Sequence, residues 1–186
     1  MLKSSYKREK RIGKMSEKSK IGIEIEKKYI IKMPNPALLQ AQERYDVSRI
    51  VQIYLPCATG ETLRIRSREQ NGITTYTKTR KIRIDKMSST EIEKEISAEE
   101  FDSLSRQILS TTRPIMKTRY TFIYKSQLFE IDVYPEWTRT AIMETELDSR
   151  ERTVDFPEFL KIVKDVTGDK SYSNRGMSQT FPKEQL

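Results

Sequence analysis

The chain alternates apolar and polar side chains over most of its length, which is the period of a β-strand with one face buried. In the first such run, 21–31, Ile21, Ile23 and Ile25 leave one face while Glu24, Glu26 and Lys28 leave the other. Further strands are predicted at 47–55, 61–69, 73–83, 90–97, 113–124, 127–135 and 139–148, eight in all. Asn71-Gly72 marks a tight hairpin turn between the third and fourth, because both residue types tolerate positive φ. A turn near Ser126 joins the sixth and seventh. Helices are predicted at 36–44, at 98–109 behind a Ser97 cap, and at 157–166, where Phe159, Leu160 and Val163 form an apolar stripe. Residues 169–186 are polar with little periodicity.

The face opposite the apolar one carries the information. It holds Glu24, Glu26, Glu91, Glu93, Glu95, Glu130, Asp132, Glu144 and Glu146, against Lys28, Arg64, Arg66, Arg68, Lys78, Arg80, Lys117 and Arg119. Pattern alone allows two architectures. One is an open antiparallel sheet with a solvated mixed-charge face. The other is a sheet closed into a barrel, with the apolar side outward under helices and the charged side lining a lumen. Crowded charges in a lumen would need a ligand. A Glu-x-Glu pair sets two carboxylates about 6.6 Å apart along a strand, suited to a hard cation such as Mg²⁺ or Mn²⁺. Arginine forks and lysines suit phosphate oxygens, so the inventory points to phosphoryl transfer on a polyanion.

Composition narrows the chemistry. The 186 residues include no histidine and one cysteine, Cys57. A Ser-His-Asp triad, a Cys-His pair, a His-rich zinc site and an intrachain disulfide are therefore excluded. No glycine-rich phosphate loop is present, and the cysteine usage suggests a reducing, cytoplasmic setting. The formal charge of +8 is concentrated in residues 1–20, which hold eight bases and two acids. That segment reads as a disordered basic tail, with neither a signal-peptide core nor a membrane span. Nucleic acid is expected only as a weak contact of this tail, and no membrane partner is expected.

Several strings, taken in order, resemble the CYTH superfamily of triphosphate tunnel metalloenzymes. They begin with the E-x-E-x-K signature at Glu24–Lys28 and continue with Gln52–Leu55, Leu63-Arg-Ile-Arg66 and Thr77-Lys78. Glu91–Glu95, Lys117–Tyr120, Glu130–Tyr134, Glu144–Leu147 and Tyr172-Ser-Asn174 follow. The resemblance spans about 21–177, leaving 178–186 as a polar tail. It implies a mainly β (α+β) fold, a closed eight-stranded antiparallel barrel with a charged lumen and helices packed outside. It also implies hydrolysis of a small-molecule triphosphate, inorganic triphosphate above all, with two Mg²⁺ or Mn²⁺ ions. By that match Glu24, Glu26, Glu93, Glu95, Glu130, Asp132, Glu144 and Glu146 would hold metal. Lys28, Arg64, Arg66, Lys78, Lys117 and Arg119 would grip phosphate, with Glu24, Glu26 and Lys28 in the catalytic group. A nucleoside or thiamine triphosphatase, an adenylate cyclase, and a non-catalytic polyphosphate- or nucleotide-binding barrel stand as alternatives, and oligomeric state is left open.

Overall fold

The structure is a computed structural model that describes residues 20–185, with side chains from Ile25 onward. The basic segment 1–19, the side chain of Glu24 and residue 186 lie outside the described residues. Nine strands are described: β1 (Lys20–Lys32), β2 (Glu43–Leu55), β3 (Glu61–Gln70), β4 (Ile73–Arg83), β5 (Ser88–Glu95), β6 (Ile115–Tyr124), β7 (Gln127–Val133), β8 (Thr140–Glu146) and β9 (Ile162–Asp165). Three short helices accompany them: α1 (Pro36–Gln40), α2 (Ala98–Ser105) and α3 (Asn174–Gln179), the last preceded by a 3₁₀ turn at Lys170–Tyr172.

The strands run antiparallel in the order β5-β4-β3-β2-β6-β7-β8-β1, and β1 pairs back onto β5. That last pairing closes an eight-stranded barrel, so the closed architecture holds and the open sheet does not. The predicted turns form as their chemistry requires. Asn71 and Gly72 have φ of 53° and 77°, and Lys125 and Ser126 have φ of 47° and 63°. Both pairs give the positive-φ geometry whose twist matches that of the flanking strands. Ser97 Oγ accepts from Glu100 N at 3.1 Å and starts α2.

One predicted element is different. Residues 157–166 do not form a helix; Pro157 sets a turn, and the chain then extends as β9. The reason is an unfilled edge. β5 pairs with β1 only as far as Ile25, leaving the backbone beyond it without a ladder. β9 supplies one by pairing Tyr29 with Asp165, Ile30 with Lys164 and Ile31 with Ile162. Backbone groups in a buried wall must be satisfied, and this demand outweighs a three-residue helical stripe.

Apolar packing occurs in three places. Outside the barrel, Tyr29, Ile31, Phe122, Phe129 and Met143 pack beneath Leu39 of α1 and Leu160. Ile53, Leu55, Ile65 and Ile96 pack beneath Phe101 and Leu104 of α2. The third cluster is inside. Ile30 and Ile142 lie on the inner face, on the same side of their strands as Lys28 and Glu144, and they join Ile115, Tyr134, Trp137, Tyr172 and Met177. The C-terminal segment thus closes one end of the lumen. Trp137 Nε1 donates to Pro182 O at 3.1 Å, and Glu184 accepts from Thr140 N at 2.7 Å, so residues past α3 are docked on the barrel. No helix among the described residues is long and apolar enough to cross a membrane.

Candidate active site in the barrel lumen

The lumen contains a cavity of about 900 Å³ lined by side chains from all eight barrel strands, Tyr54 being the contribution of β2, and from α3. β1 contributes Glu26 and Lys28, β8 Glu144 and Glu146, and β7 Glu130. β6 contributes Lys117 and Arg119, β3 Arg64 and Arg66, β4 Lys81, and β5 Glu91 and Glu93. Ladder register sets the pairs. Glu26 stands opposite Glu146, Lys28 opposite Glu144, and Glu130 opposite Glu144. Opposed residues share a face, so these carboxylates are held on adjoining parts of one wall.

At the floor lies a buried ionic network. Arg119 donates from Nε to Asp132 at 2.6 Å and from Nη2 to Glu144 at 2.7 Å, and it also pairs with Glu130. Lys28 Nζ meets Glu144 at 2.7 Å, and Lys117 pairs with Asp132. Burial opposes the charge on Glu144, but Lys28 and Arg119 hold its carboxyl well below the usual range. Burial also opposes the charge on Lys28, and Glu144 and Glu26 reverse this and hold the ammonium above its usual range. Lys117 is different: burial, and then Arg119, push it down to about 8 despite Asp132.

The opposite wall has a surplus of positive charge. Arg64 reaches Glu91 only at 3.5 Å, and Glu91 is held by Lys81 at 2.7 Å. Arg66 has no ion pair or hydrogen bond among the described residues, and its buried Nε lacks a partner. The charge on Arg64, followed by burial, lowers Arg66 to about 10. Arg175 of α3 joins this wall; its guanidinium lies 5.3 Å from the centroid of the Tyr54 ring, and its Nη1 is buried without a partner. Buried donors without acceptors favour an anionic ligand.

On the carboxylate wall, Glu146 forms no ion pair among the described residues, and Lys81 is the cation that acts on it, weakly. Burial, then Glu130, Glu26 and Glu91, raise its carboxyl above the usual range. Among the described residues no three acidic groups converge on one point as a ready metal site. Glu144 is turned toward Lys28 and Arg119. The donor chemistry fits a hard divalent cation: the donors are carboxylate oxygens alone, two are directly opposed, and their mutual repulsion is only weakly relieved by Lys28, 3.8 Å from Glu26. Glu26, Glu144 and Glu146 are the residues that could hold such an ion.

Of the residues read from sequence, the lumen brings together Glu26, Lys28, Arg64, Arg66, Glu93, Lys117, Arg119, Glu130, Glu144 and Glu146. Glu24 is described only by its backbone, opposite Ser89 on β5. Three residues sit elsewhere. Lys78 is opposite Ile65, a member of the outer cluster under α2, and so projects outside the barrel with Arg80. Glu95, at the end of β5, is exposed and does not line the cavity. Asp132 is fully buried and tied to Lys117 and Arg119, below the cavity surface. Sequence reasoning missed Lys81 and Arg175. The apolar side chains of Tyr76 and Ile82 mark the outer face of β4, which leaves Thr77, Thr79 and Lys81 inside. Arg175 directly follows the Tyr172-Ser-Asn174 string, and strand periodicity carries no signal for it because it sits on a helix.

A closed eight-stranded antiparallel barrel with carboxylates facing arginines across its lumen is the architecture that the resemblance implied. No protein-family model and no curated protein sequence matches the chain. Solved structures do. The chain is similar to the inorganic triphosphatase NE1496, with 27% sequence identity and a TM-score of 0.54, over 86% of this chain and 96% of that one. It is also similar to the PH1819 protein from Pyrococcus horikoshii OT3, with 25% identity and a TM-score of 0.52, over 69% of this chain and 80% of that one. These likenesses bear out the resemblance read from the strings.

Proposed function

We propose that the protein hydrolyses inorganic triphosphate to pyrophosphate and phosphate inside the barrel, with Mg²⁺ or Mn²⁺ held by the carboxylate wall. The observation that carries this reading is the division of the lumen: opposed, weakly compensated carboxylates on β1 and β8 face under-paired arginines on β3 and α3. The similarity to NE1496, an inorganic triphosphatase, supports the choice of substrate.

Arg64, Arg66 and Arg175 bind the triphosphate oxygens, and their charge offsets that gathering on the departing pyrophosphate. Lys28 and Arg119 keep Glu144 ionised and fix its carboxylate at the edge of the cavity. A bound divalent ion would polarise phosphoryl oxygens and acidify water. Glu26, Glu144 and Glu146 would be its ligands. The proton lost by the attacking water passes to a carboxylate oxygen of the Glu26–Glu146 pair, since the chain has no histidine. Water adds to the terminal phosphorus as its bond to the bridging oxygen breaks, so one phosphate and one pyrophosphate leave.

The test is phosphate release from sodium triphosphate by the full chain with Mg²⁺, with Mn²⁺ and with a chelator. Release only in the presence of metal is expected. No release with either ion, or equal release in chelator, would sink the reading.

A further inference from the structure

β3 carries not two but three arginines at successive inward positions, Arg64, Arg66 and Arg68. Arg66 stands opposite Gln52 and Thr77, and Arg68 stands opposite Ile50 and Thr75. Ile50 is only 2% exposed and stands opposite Lys117 on β6, which fixes this row to the inner wall. The cavity described above reaches Arg66 and does not include Arg68. Arg68 lies one further step along the wall, about 6.6 Å beyond Arg66 at the backbone.

That step is lined with unused donors. The Nε atoms of Arg66 and Arg68 are both buried without a hydrogen-bond partner, and so are Thr77 Oγ1 and Ser48 Oγ. Ser48 is 1% exposed and neighbours Ile50 on the inner face of β2. Neither arginine has an ion pair among the described residues. Four buried donors with no acceptor call for an oxyanion, since each pays its desolvation with nothing in return. None of the residues facing Arg66 and Arg68 is aromatic, so a nucleobase would find no stacking surface there. A row of arginines collinear with the phosphate-binding wall fits another phosphate of the same chain.

We infer that Arg68, with Arg66, Thr77 and Ser48, forms a further phosphate subsite, so that the lumen grips linear inorganic polyphosphates longer than triphosphate, tetraphosphate first. The inference rests on the functional reading above, because it takes the Arg64–Arg66 wall to hold the first three phosphates.

Calorimetric titration of the metal-free full chain with sodium triphosphate and with sodium tetraphosphate tests it. Tetraphosphate is expected to bind at least about fivefold more tightly. Arg68→Met should weaken tetraphosphate about tenfold and triphosphate less than about twofold, the scale of one charge-assisted contact. Arg68→Lys should retain part of the difference. Equal affinities in the unmodified protein, or a loss in Arg68→Met that is the same for both ligands, would overturn the subsite while leaving the triphosphatase reading intact. Binding of neither ligand would overturn both. Should Arg68→Met fail to fold, Thr77→Val carries the same comparison, with a selective loss of about threefold expected.

Discussion

Glu26 on β1 and Glu146 on β8 face one another directly across an antiparallel ladder. Like charges so placed destabilise a sheet. Among the described residues Glu26 has the 3.8 Å approach of Lys28 to relieve it, and Glu146 forms no ion pair. Such a pair serves a ligand better than it serves the fold.

Removing either charge should therefore separate stability from function. Glu146→Gln is expected to raise the stability of the metal-free protein by about 0.5 kcal/mol, discounted because Glu146 is exposed at the wall, while reducing metal-dependent phosphate release at least about 100-fold. Denaturant midpoints paired with phosphate-release assays check both parts. A variant that is less stable and fully active would contradict the assignment.

Asp132 should behave in the opposite way. It is fully buried and receives both Lys117 and Arg119. Asp132→Asn leaves the buried Lys117 with a neutral partner and takes one of three carboxylates from Arg119, and about 3–5 kcal/mol of stability should be lost. Chemical denaturation of the metal-free chain measures this directly. A loss below about 1 kcal/mol would mean that the network is not a structural floor.

Lys117, held at about 8, predicts an alkaline limit on substrate capture. As pH rises past 8 the lumen loses a cation, and kcat/KM for triphosphate should fall. Stability moves the other way for this residue. Its folded pKa lies below the usual lysine value, so the unfolded chain binds more protons between about pH 8 and about 10.4, and the residue's contribution rises with pH across that window. Lys117→Arg should remove the alkaline limb, since a guanidinium stays charged. An unchanged limb in that variant would assign it to another group.

Arg175 should matter for binding more than for folding. Arg175→Ala is expected to raise KM for triphosphate about tenfold, the scale of one charge-assisted contact, and to shift the melting midpoint by only a few degrees. Steady-state kinetics and a thermal melt check it. An unchanged KM would remove α3 from the site.

How much of this was legible before the fold was known differs from residue to residue. Glu26, Glu144, Glu146, Arg64 and Arg66 sit in strands whose apolar neighbours alternate cleanly, so period two alone set their face. β4 carries threonines instead, and a strand of Thr, Lys and Arg has no strong apolar phase. The pattern therefore points Lys78 inward, whereas Lys81 is the inward residue. Asp132 and Glu130 have the same spacing as the other acidic pairs. Only the crossing of Arg119 over both separates a buried anchor from a cavity-lining acid. The stripe at 157–166 was a true amphipathic signal, but it described packing of Phe159 and Leu160 on the outer wall. Where that backbone found its hydrogen bonds depended on an edge of β1 more than a hundred positions earlier.

That edge also bears on how the chain reaches its native state. β1 is the seam of the barrel: it meets β8 along one side and divides the other between β5 and β9. β2 through β5 can form from neighbouring hairpins, but no ladder along β1 exists until segments far apart in the chain have met. Loop-closure entropy makes such pairings slow, so seam closure is the expected late step in folding. The lumen charges would then come within reach of one another last, after the hairpins carrying them have formed.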